Sequence, residues 1–156
     1  MELEPLDKAM DMAMKYLGYR ARTEKEMTEY LTRKEVDERL IAFVMEKLIS
    51  YDLINDREYA RRFVELHGDN DGRFRLRQKM KLKGLPEDVI EEALAGIDRD
   101  GEIEAAKELL EKKLLHDERE DAVYRAVQSV MRKGFSYDVV KAAAEEYREQ
   151  LEINDE

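Results

Sequence analysis

A chain of 156 residues with 28 bases, 38 acids and a formal charge of −10 fits one ordinary domain or a short array of repeats; its 42 % charged content, against about 25 % in an average soluble domain, suits helices with much exposed surface rather than a compact globule. The absence of Cys excludes disulfides and thiolate metal sites and fits a reducing compartment. The longest apolar run, Leu40 to Met45, falls far short of a span of about 20 residues, and the acidic start Met1-Glu2-Leu3-Glu4-Pro5 lacks an apolar signal core, so a soluble, cytoplasmic protein is expected.

Apolar spacing is helical along nearly the whole chain. Leu6, Ala9, Met10, Ala13 and Leu17 make one stripe that closes near Gly18. Thr23 with Glu26 is a capping-box pattern and opens a second helix through Met27, Tyr30 and Leu31. Asp37 caps a third, with Leu40, Ile41, Val44, Leu48 and Tyr51 on it, and Asp56 is placed to cap a fourth through Tyr59, Ala60, Phe63 and Val64. Gly68-Asp69-Asn70-Asp71-Gly72 is a turn-rich break. A basic stretch from Arg73 to Lys83 follows. Pro86 then starts a helix using Val89, Ile90, Ala93 and Leu94. Gly96 and Gly101 bracket a joint. A long helix carries Ile103, Ala106, Leu110 and Leu114, and the next carries Ala122, Val123, Ala126, Val127, Val130 and Met131 up to Gly134. Ser136 caps the last, with Val139, Val140, Ala143, Tyr147 and Leu151. The total is about nine helices, with a frayed tail from Glu152.

The basic stretch, Arg73-Phe74-Arg75-Leu76-Arg77-Gln78-Lys79-Met80-Lys81-Leu82-Lys83, holds six bases and no acid, which leaves the rest of the chain at −16. Its alternation has period two, a strand signal, yet a lone strand would leave its backbone unpaired. Self-similarity decides the matter. Lys34-Glu35-Val36-Asp37-Glu38-Arg39-Leu40-Ile41 matches Lys83-Gly84-Leu85-Pro86-Glu87-Asp88-Val89-Ile90 and Lys133-Gly134-Phe135-Ser136-Tyr137-Asp138-Val139-Val140, at offsets of 49 and 50 residues. In each, a helix ends in Lys, the chain turns, an apolar residue packs, and two apolar residues open the next helix. The chain therefore reads as all-α: three tandem three-helix repeats over residues 1–55, 56–99 and 100–151, with residues 152–156 as the tail, forming an elongated, curved, right-handed helical array. The basic stretch takes the second-helix place of the middle repeat.

On such a helix Leu76 and Met80 share the buried stripe. Arg75 and Lys79 stack on one flank, Arg77 and Lys81 on the other, with Gln78 between. Like charges at i, i+4 cost a few tenths of a kcal/mol each, so stability does not ask for this pattern. The equivalent positions are Glu26, Thr28, Tyr30 and Thr32 in the first repeat and Arg125, Val127, Ser129 and Met131 in the third, so the four-base face is private to the middle one. Lys83 is matched by Lys34 and Lys133 and reads first as a cation complementing a helix C-terminus.

The motif at Lys133 to Val140 closely resembles the last repeat of RecX proteins, the regulators of the RecA recombinase. Leu53-Ile54-Asn55-Asp56-Arg57-Glu58-Tyr59-Ala60-Arg61-Arg62-Phe63-Val64 is similar to that family's entry to its second repeat, and Gly72 to Leu94 to its middle repeat. The resemblance runs from about Leu6 to Leu151. Two departures stand out. Glu35 occupies a place where the family's first repeat has Gly, and Leu66-His67-Gly68-Asp69-Asn70-Asp71 is acidic where the family is basic. The resemblance implies a regulator that binds RecA filaments on single- or double-stranded DNA and modulates, usually inhibits, their ATPase and strand exchange. The expected partner or DNA contacts are Arg73, Arg75, Arg77, Lys79, Lys81 and Lys83. Four to six phosphate contacts would give a log–log salt slope of about −3 to −5. The second reading is a helical-repeat adaptor that binds an acidic protein partner without nucleic acid.

No enzyme, cofactor, metal or small-molecule substrate is expected. His67 and His116 lie near helix ends and read as packing residues. Neither has Glu three positions upstream, where Val64 and Lys113 stand, so the helical di-metal pattern is missing. P-loop, His-Glu-x-x-His and Gly-x-Gly-x-x-Gly patterns are missing too.

Overall fold

In the computed structural model, residues 4–155 are described. Met1 to Leu3 of the acidic start, and Glu156 of the tail, lie outside them. The described residues form nine α-helices and no strand: α1 Pro5–Tyr19, α2 Glu24–Arg33, α3 Glu38–Ser50, α4 Asp56–His67, α5 Arg73–Leu82, α6 Glu87–Ala95, α7 Arg99–Leu114, α8 Ala122–Arg132 and α9 Tyr137–Asp155. The period-two basic stretch is a helix. Alternation lost to tertiary packing because Leu76 and Met80, four apart, are fully buried while Phe74 and Leu82 stay exposed. Asp56 does not cap α4. Asn55 does, its Oδ1 accepting the Glu58 N–H at 3.0 Å, while the Asp56 carboxylate takes the Glu24 N–H at the start of α2 at 2.9 Å. Gly101, expected at a joint, lies in the first turn of α7, where its N–H donates to the N-cap Asp98 at 2.6 Å. The last helix continues to Asp155, where the sequence predicts a frayed tail from Glu152, and Leu151 to Asn154 on it are exposed.

The helices pack into two compact units. The first holds the chain through Arg62 together with Met80–Ile90. Its core joins Ala9 and Ala13 of α1, Met27 and Leu31 of α2, and Val44 and Leu48 of α3. Fully burying each of the larger side chains contributes roughly 1.5–3 kcal/mol. The Thr23–Glu26 capping box is complete, and it fixes the entry to α2. Beside it Tyr16 and Tyr30 stack with ring centres 3.8 Å apart, and the buried Arg22 guanidinium lies 3.6 Å above Tyr16. The second unit holds Phe63–Lys79 and the chain from Glu91 onward. Its core is α7 against α8 and α9, through Ala106, Leu110, Ala126, Val130, Phe135 and Val140.

The recurring Lys-Gly turn has a specific task in each unit. Glu35, Gly84 and Gly134 all take positive φ, at 61°, 86° and 97°. In the first unit the N-cap Thr23 donates its hydroxyl to the Lys83 carbonyl at 2.6 Å. In the second, Gly72, at the equivalent place before α5, donates its N–H to the Lys133 carbonyl at 2.8 Å. The start of one repeat's second helix is thus seated on the next repeat's turn. A Cβ on Gly134 would come within 2.6 Å of Arg75 N and Cβ, and one on Gly84 within 2.4 Å of Lys25 Cδ. Glu35 keeps the left-handed turn with a side chain because that residue is exposed.

Candidate partner interface

The six bases of the central stretch emerge from α5 and the residue after it. Their sequence places them as an open cationic face; the structure gives most of them a carboxylate of the same chain. Arg73 is turned inward: its Nε donates to Glu102 Oε1 at 2.6 Å, and its Nη atoms donate to the carbonyls of Leu94, at 2.8 Å, and of Ile97. It closes the C-terminal end of α6 and ties that end to α7, a structural use of its donors. Arg75 and Lys79 share Asp71, with Lys79 Nζ 2.6 Å from Oδ2 and Arg75 Nε 3.5 Å from Oδ1. Asp71 is only 5 % exposed, so these two cations neutralise a carboxylate that has lost most of its water. Arg77 pairs with Glu91 of α6, and Lys81 lies 3.5 Å from Glu87. Lys83 makes no ion pair with any described residue, and its carbonyl holds Thr23.

Apart from the inward Arg73, the paired side chains of α5 remain between 32 % and 56 % exposed. Ion pairs of that exposure contribute about 0–1 kcal/mol, so a partner's phosphate or carboxylate can replace the internal acid at little cost. The Asp71 pairs resist exchange most, because their loss strands a buried charge. Two apolar side chains extend the same exterior, Phe74 at 64 % and Leu82 at 87 % exposed. A surface of exchangeable cations flanked by large apolar groups has the composition of a protein interface, in which Arg and aromatic residues are enriched. Asp71 escaped the sequence reading, although the signal was present: it stands four residues before Arg75 and eight before Lys79, on one flank of the same helical register.

Family profiles extend these observations. One described as "RecX, first three-helix domain" matches residues 9–48, and one described as "RecX, second three-helix domain" matches residues 55–94. The chain belongs to the RecX family. A protein named Regulatory protein RecX from Bacillus velezensis is 33 % identical over 148 residues, which cover 92 % of this chain and 56 % of that protein. Its namesake from Clostridium botulinum strain Eklund 17B is 33 % identical over 144 residues, 89 % of this chain and 68 % of the relative. The crystal structure of RecX from Lactobacillus salivarius shares 30 % identity and superposes with a TM-score of 0.84 over 92 % of this chain and 97 % of that one. The chain therefore spans little more than half the length of the Bacillus relative, and nearly all of the solved Lactobacillus chain. No helix among the described residues is long and apolar enough to cross a membrane, and no group of three or more His, Asp or Glu there could hold a metal ion.

Proposed function

We propose that this chain is a RecX-type regulator, without catalysis of its own, that binds RecA recombinase filaments on DNA and restrains their ATPase and strand exchange. Its membership of a family whose relatives are named regulatory proteins carries this reading. Contact is made by the exterior of α5. Arg77 and Lys81 exchange Glu91 and Glu87 for anionic groups of the filament, Arg75 and Lys79 do so against the hold of Asp71, and Phe74 and Leu82 supply apolar area. Lys83 adds a charge at the helix end, and Arg73 keeps the helix in place. Because most of the stripe is internally compensated on a molecule of charge −10, bare DNA is held weakly and the protein surface of the filament supplies the selectivity.

The test is titration of the protein into recombinase filaments on single-stranded DNA while ATP hydrolysis is followed. Saturable inhibition supports the proposal, and unaltered hydrolysis at saturating protein overturns it. The adaptor reading differs in one respect. It requires a labelled oligonucleotide to show no anisotropy change with the protein, whether or not recombinase is present.

A further inference from the structure

The third repeat carries a second basic locus, independent of α5. A cleft of about 570 Å³ is lined by Lys113 of α7, Asp117 and Arg119 of the α7–α8 loop, and Tyr124, Arg125, Gln128 and Arg132 of α8. Helix α8 contains no acid at all, on a chain with 38 of them. Tyr124, Gln128 and Arg132 follow at i, i+4 and i+8, in one row on its outer side. Arg119 is held by Asp117 at 2.8 Å, and Arg125 lies 3.8 Å from Asp121. Lys113 and Arg132 make no ion pair with any described residue, and Tyr124 is 67 % exposed.

Two bland explanations of this cleft fail on the geometry. It is not a vacant seat for another repeat's turn. Ala122 occupies the place of Thr23 and Gly72, four residues before the buried Ala126, although it already lies within α8 and is itself buried. Yet it has no hydroxyl, and its N–H is already bonded to the Arg119 carbonyl at 3.1 Å. The donor that receives the turn in the other two repeats is missing. Nor does the cleft suit the first repeat's turn from a second copy, because Glu35 brings a side chain where the seated turns have Gly. What remains is a concave site with two cations free of ion pairs to described residues, two exchangeable ones, the Asp117 carboxylate paired with Arg119, an amide and hydroxyl from Gln128 and Ser129, and an accessible aromatic face.

We propose that this cleft binds a nucleotide unit, with the phosphate on Lys113, Arg132 and Arg125 and the base against Tyr124. Phosphate charge answers these cations, and every base presents a face that stacks on an aromatic ring. The volume lies within the roughly 300–1,000 Å³ of small-ligand sites. Glu118 and Glu120, in the same loop as Asp117 and Arg119, are exposed and do not line the cleft, and their charge disfavours a long anionic strand running past. A single unit therefore fits better than a continuous track, and it can come from a free nucleotide or from the phosphorylated end of a single strand.

The experiment uses the whole chain without recombinase, so it is separable from the α5 reading. A fluorescent adenosine diphosphate and a labelled, 5′-phosphorylated oligothymidylate are each titrated by anisotropy. Saturable binding of either probe is expected, and competition by the other identifies the source. Lys113→Ala with Arg132→Ala weakens it at least tenfold. Tyr124→Ala weakens it about five- to a hundredfold. All three residues are surface groups, and an unchanged thermal melt verifies that the variants are folded. Two outcomes overturn the proposal: no saturable binding of either probe, or binding that inorganic triphosphate displaces equally well and Tyr124→Ala leaves intact.

Discussion

Asp56 and Glu24 show how single residues set the behaviour of the first unit. Burial raises the pKa of both carboxyls; the neighbouring Asp56 charge adds to the rise at Glu24, and that of Glu26 to the rise at Asp56. A carboxyl whose pKa is raised by folding holds its proton better folded than unfolded. Its favourable contribution is therefore present below the ordinary carboxylate range of about 4 and is lost as pH rises through the folded values. Asp56→Asn keeps an oxygen for the Glu24 N–H and removes the charge. The expected result in urea unfolding is a midpoint at neutral pH equal to or above that of the parent, with a flatter pH dependence above the ordinary carboxylate range of about 4. A lower neutral-pH midpoint would show that the charge itself stabilises α2.

Backbone conformation gives a second residue-scale pair with opposite signs. Glu35→Gly relieves a left-handed side-chain residue, and it stabilises by about 1 kcal/mol or less once the greater freedom of the unfolded chain is counted. Gly134→Ala forces a methyl against Arg75 in a turn that is left-handed as well, and it costs about 2 kcal/mol or more. Chemical denaturation of both variants measures the difference. If both move stability in the same direction, the seating of α5 on the Lys133–Gly134 turn is not what requires Gly there.

At the scale of elements, α5 is held at three places: Leu76 and Met80 in the core, Gly72 on the following turn, and Arg73 across the end of α6. Arg73→Ala leaves the half-buried Glu102 and two carbonyls without their donor, and it is expected to cost about 2–4 kcal/mol in thermal or urea unfolding. Loss of less than about 0.5 kcal/mol would place that guanidinium among ordinary surface groups. Asp71 is the element's internal competitor. Asp71→Asn keeps an oxygen for Lys79 while removing the charge that restrains Arg75 and Lys79, so α5 becomes more cationic with its seat intact.

For the molecule as a whole, the repeat was legible in the sequence because each copy needs the same three things: a capped helix start, a turn with positive φ, and an apolar plug after it. Thr23–Glu26, Gly84 with Leu85, and Gly134 with Phe135 state these locally. Eight of the nine helices among the described residues followed from apolar spacing, and α5 from its place in the repeat. What stayed hidden depends on distant partners. Asp56 looks like a cap until α2 is beside it, and the stripe looks open until Glu91, Glu87 and Glu102 are brought to it from outside α5. Two compact units with the middle repeat shared between them could not be inferred from spacing. Internal pairing also changes the salt prediction. Each phosphate gained frees a carboxylate of the chain, which collects cations in turn, so the log–log slope on single-stranded DNA is shallower than the about −3 of four open contacts.

If α5 acts as proposed, its cations are exchangeable contacts held in check by the chain's own acids. This is tested most directly by the protein concentration that half-inhibits recombinase-filament ATP hydrolysis, measured for the parent, for Asp71→Asn and for Arg77→Glu with Lys81→Glu. Asp71→Asn should need less protein and the double reversal at least tenfold more, with all three folded to the same helical content. Equal half-inhibition by the three proteins would contradict it.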